Sequence, residues 1–104
     1  MGAQSKESLE KILENRKRTI EGEKRMIENY KTKIDNFKKE IEHQKIQIQS
    51  NRKDKHFVKS CQSVISTRKN DIERAKQSIE FHKNRINFEK EQILSLKEDI
   101  KKKK

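Results

Sequence analysis

One spacing governs this chain. Leu13, Ile20, Ile27, Ile34, Ile41 and Ile48 follow one another at intervals of seven residues. After a step of ten, the series resumes as Val58, Ile65, Ile72, Ile79, Ile86, Ile93 and Ile100. Thirteen aliphatic residues therefore share one heptad position, here called a. A seven-residue period sustained over this many repeats is the pattern of helices wound on helices. It predicts long α-helices whose isoleucine stripe is covered by another helix.

The rest of the repeat supports helix formation. Position b carries Glu14, Glu21, Glu28, Asp35 and Glu42, and later Glu73 and Glu80. Position e carries Lys17, Lys24, Lys31, Lys38 and Lys45, then Lys69, Lys76, Lys83, Lys90 and Lys97. A carboxylate three residues before a lysine meets it on the helix surface and contributes about 0.2–0.5 kcal/mol per pair. Gly22 opposes the pattern, at about 1 kcal/mol in a helix interior. Position d is weak: Leu9, Arg16, Glu23, Tyr30, Phe37 and Gln44, then Cys61, Arg68, Ala75, His82, Glu89 and Leu96. With d so polar, one helix pair buries only a thin seam, and further association into a bundle is expected.

The step of ten between Ile48 and Val58 admits two architectures. In one, the chain turns back and forms a long antiparallel helical hairpin, a coiled coil closed on itself. In the other, a single continuous helix enters a parallel coiled coil and the extra residues are a stammer. Ser50, Asn51 and Asp54 are turn and capping residues, whereas the segment has neither Gly nor Pro to force a turn. Pairing favours the hairpin. If Ile48 faces Val58 and Leu13 faces Ile93, the d residues meet as Arg16 with Glu89, Glu23 with His82, Tyr30 with Ala75 and Leu9 with Leu96. A parallel dimer would set Arg16 on Arg16 and Glu23 on Glu23 instead. The hairpin has its own conflict, since it brings both e-position lysine rows to one edge, where the neighbouring b-position carboxylates soften the repulsion without removing it. The expected organisation is one all-α domain over residues 1–104. It has a first helix at about 5–50, a turn at about 51–55, a second helix at about 56–100 and a basic tail at 101–104. Arms of some 45 residues would be about 70 Å long.

Composition closes off other classes. Apolar residues make up 28% and charged residues 43%, against about 45–50% and 25% in an ordinary globular domain. That leaves too little for a rounded core or a lined catalytic pocket. No apolar run approaches the roughly 18 residues of a membrane span or the core of a signal peptide. Gly2 lacks the Ser or Thr at position 6 of a myristoylation site; Lys6 stands there. Catalytic, metal and phosphate-loop motifs are missing: His43, His56 and His82 lie far apart, and no paired-cysteine spacing exists. The expectation is a non-enzymatic protein with no cofactor, no metal and no small-molecule substrate. Glu23 and His82 would form an ion pair rather than a reactive pair. The lone Cys61 suits a reducing intracellular location, cytoplasmic or nuclear.

Charge and aromatics suggest the contacts. Net charge is +11, which draws a chain towards polyanions. Between His43 and Asn70 seven basic residues oppose only Asp54, a local balance of +6. Arg52, Lys53, Lys55, Lys59, Arg68 and Lys69 are the candidate anion- or partner-binding set, with an acidic protein or a nucleic acid as occupant. Phe81 and Phe88 share position c, away from the isoleucine stripe, and with Arg85 form a candidate second contact face for another copy or a partner. The leading expectation is a structural or adaptor protein that self-associates. The rival is a polyanion-binding protein using the basic turn and the lysine ladder. Membrane recruitment is the weaker reading, because coiling occupies the apolar stripe.

Overall fold

The structure, a computed structural model, describes residues 5–103. Gly2 and Lys104 therefore lie outside the described residues. The chain is an all-α helical hairpin of two elements, α1 (Lys6–Ser50) and α2 (Lys55–Lys102). The continuous-helix alternative is overturned at residues 51–54, where the chain reverses.

Local chemistry explains where each helix starts and stops. Ser5 caps α1, its Oγ accepting the Ser8 backbone N–H at 3.1 Å. At the far end, Asn51 Nδ2 donates to the Gln47 carbonyl at 2.9 Å, and the Asn51 N–H reaches the Ile48 carbonyl at 3.2 Å. These bonds satisfy carbonyls that the ending helix leaves open. Asp54 then caps α2: its Oδ1 accepts the Phe57 N–H at 3.0 Å, while its own N–H bonds to the Asn51 carbonyl at 3.0 Å. No described residue has a positive φ, so the reversal needs no glycine. α2 runs on through Lys102, beyond the expected end near residue 100. Lys101 and Lys102 thus form its last turn rather than a separate tail, where ammonium groups suit the negative end of the helix dipole.

Contacts divide the described residues into two units: one formed by 5–27 with 80–103, the other by Glu28–Ile79. In the second, Ile34, Ile41, Ile72 and Ala75 form the core, with Tyr30, Phe37, Ile65 and Ile79 packed against it. In the first, Leu9, Ile20, Ile27, Ile86 and Ile93 are buried. Each buried isoleucine contributes on the order of 2 kcal/mol relative to exposure. Of the thirteen a residues, seven are buried and six half-buried. None is exposed.

The d residues meet much as their order along the chain requires. Arg16 Nη1 donates to Glu89 Oε2 at 3.0 Å. His82 Nδ1 contacts Glu23 Oε2. Tyr30 packs on the cluster that contains Ala75, and Arg68 lies over the Phe37 ring at 5.7 Å. Three of the b-to-e pairs also form: Glu21 with Lys24 at 3.7 Å, Glu28 with Lys31 at 3.6 Å and Glu42 with Lys45 at 3.8 Å.

Candidate interaction surfaces

The reversal displays the basic segment. Arg52 and Lys53 sit in the turn, and Lys55 and Lys59 in the opening turns of α2; all four are exposed. Lys69 is exposed further along α2. Arg68 is not part of this display. Its Nη1 donates to Asp71 Oδ2 at 2.7 Å, its Nε lies 2.6 Å from Glu40 Oε2, and its plane covers Phe37. The hydrogen bond that Arg68 donates to Asp71, with the negative charge of Glu40, holds the guanidinium above its ordinary range. Arg68 is therefore a structural cation bound within the hairpin. The +6 stretch ended at Asn70, one residue before Asp71, and began after Glu40, so both of its partners fell outside.

These contacts also distinguish the two long edges of residues 28–79. The groove lined by Tyr30, Lys33, Phe37, Arg68, Asp71 and Ala75 runs along the d and g positions. The e positions, flanking the isoleucine stripe, lie on the other side. That second edge carries exposed lysines of both helices.

In the other unit, Phe81 and Phe88 are 57% and 54% exposed. They line a shallow groove with Asn84, Arg85 and Glu89. Arg85 stacks over Phe81 at 5.7 Å while its Nε is 3.1 Å from Glu23 Oε1. The Phe81 ring also meets His82 edge-on, with centroids 5.3 Å apart. Glu23 thus receives both His82 and Arg85, with its side chain only 13% exposed. Its pairing with His82 is shielded rather than superficial. The result is an aromatic groove in which the one lining cation, Arg85, is paired with Glu23.

Among the described residues, no group of three His, Cys, Asp or Glu is placed to hold a metal ion, and no helix is long and apolar enough to cross a membrane. Cys61 is a free, buried thiol at position d. Sequence reasoning missed the exposed Ile46 and Leu94, because both fall outside the a and d positions and carry no local signal of their own. In comparison with known proteins, the chain matches no family model, no curated protein and no solved structure.

Proposed function

We propose that this chain is a non-enzymatic coiled-coil association module: a helical hairpin that joins copies of itself, or a partner, through an outward face of α2. The observation that carries this reading is the pair Phe81 and Phe88, one heptad apart and more than half exposed. Aromatic side chains left bare on a chain that is 5% aromatic are what the centre of an interface uses. Two further facts support it. No described side chain is buried to below 2% exposure, so the hairpin's own seam is thin and gains from company. Arg85 is held by Glu23, so two copies of this face meet without an uncompensated charge between them. The grooves favour association over catalysis: the one beside the start of α1 is lined by Glu7, Glu10, Lys11, Glu14, Asn15 and Arg18, all exposed. The reading places the chain inside the cell, in the cytoplasm or nucleus, on the strength of its single unpaired thiol.

Sedimentation equilibrium from about 1 to 300 μM tests the proposal. Reversible association is expected, and Phe81→Ser with Phe88→Ser should abolish it while far-UV circular dichroism stays helical. A chain that remains monomeric across that range, or associates as well without both rings, rules out the self-associating face.

A further inference from the structure

The two lysine rows pose a physical problem that the association reading leaves unsolved. Antiparallel helices set the e positions of one beside the e positions of the other. Within residues 28–79 these positions are Lys31, Lys38 and Lys45 on α1 and Lys55, Lys69 and Lys76 on α2, with Gln62 the one interruption. All six lysines are exposed. The register given by Arg68 on Phe37 and Glu40 sets Lys38 opposite Lys69 and Lys31 opposite Lys76. Lys31 and Lys45 each have a carboxylate one turn back on their own helix. Lys38, Lys69 and Lys76 take part in no ion pair with the described residues.

Like charges facing each other oppose the fold. Glutamate on one side would have served equally well as a helix former and would have turned each repulsion into attraction. A local rule broken repeatedly on one exposed edge, with no gain to the hairpin itself, is where a function is to be sought. We infer that this edge of residues 28–79 binds the phosphate backbone of a double-stranded nucleic acid. The phosphates supply the countercharge that Lys38, Lys69 and Lys76 do not receive from the hairpin.

The class of ligand follows from what the edge lacks. The large apolar side chains exposed within these residues are Ile46 and Phe57, and neither occupies an e position. The edge therefore has no aromatic platform for stacking unpaired bases. It has no apolar centre for a protein interface and no wedge to enter a bilayer. Ammonium groups alone bind by releasing counterions, independently of base sequence. From Lys55 to Lys76 the row is about 31 Å long, the length of about nine base pairs. Arg52 and Lys53 continue it into the turn. Because bound phosphates relieve the facing lysines, binding stabilises the hairpin.

Fluorescence anisotropy with labelled 20-base-pair DNA and RNA duplexes tests this independently of Phe81 and Phe88. About six phosphate contacts predict that Kd weakens by about 10³-fold between 50 and 200 mM NaCl. Lys38→Gln with Lys69→Gln should flatten the log–log salt slope by about two and weaken binding at 50 mM by at least about tenfold. Lys39→Gln with Arg74→Gln removes the same charge away from this edge and should leave the slope unchanged. Circular dichroism confirms that both variants stay helical, and saturating duplex should raise Tm. Binding of either duplex supports the site, and the tighter one names the ligand. The inference is overturned by no binding at 50 mM, by binding indifferent to salt, or by equal losses in the two variants. Tighter capture by phosphatidylserine vesicles or polyglutamate than by either duplex overturns it as well.

Discussion

At the scale of single residues, the polar d positions do work that the isoleucines cannot. Arg16 and Glu89 are 73 positions apart in the chain and meet at 3.0 Å, with the Glu89 side chain largely shielded. Reversing either charge places like signs together. Arg16→Glu and Glu89→Arg should each lower stability by about 1–2 kcal/mol, and the double exchange should recover most of the loss. Urea unfolding of the four proteins reads this directly, and an additive double exchange would mean that the pair does not set the register. Arg68 behaves differently. Its raised pKa means that the stability tied to its charge is fully present below the unfolded value. That stability is lost only as pH rises through the still higher folded one, so it is insensitive to pH in ordinary buffers.

At the scale of elements, α1 tolerates a residue that helix propensity disfavours. Gly22 lies inside α1, and a Cβ built there meets nothing within 4 Å. Gly22→Ala should therefore stabilise the hairpin by about 0.5–1 kcal/mol and raise Tm by a few degrees; an unchanged or lower Tm would show that this position is crowded. The elements were largely legible beforehand, and for a reason. A heptad stripe reports helix and covered face together, so both helices and the d-level partners could be read from spacing alone. The turn was harder, because it is built from the side chains of Asn51 and Asp54 rather than from glycine or proline. The surface was least legible. Arg68 resembled its free basic neighbours until Glu40, 28 positions upstream, was brought against it. The spacing that aligns the d residues does not announce a g-position partner such as Glu40.

At the scale of the whole molecule, charge is the dominant fact. A net +11 on 104 residues works against compaction, most where lysines face one another. Raising NaCl from about 20 to 200 mM should therefore increase Tm by several degrees, as screening shortens the reach of repulsion to about one Debye length. A Tm that falls with salt would mean that attractive pairs such as Arg16–Glu89 outweigh the lysine rows. The isoleucine ladder has a further consequence for how the molecule finds its fold. Near-identical rungs at identical intervals within each helix fit almost equally well if one helix slides past the other by a full repeat, so the apolar stripe supplies cohesion but little address. Only the unlike residues beside it distinguish the correct alignment from its neighbours. A chain with those positions made uniformly leucine would hold more tightly and fold less faithfully, trapped in misaligned hairpins that differ by one rung.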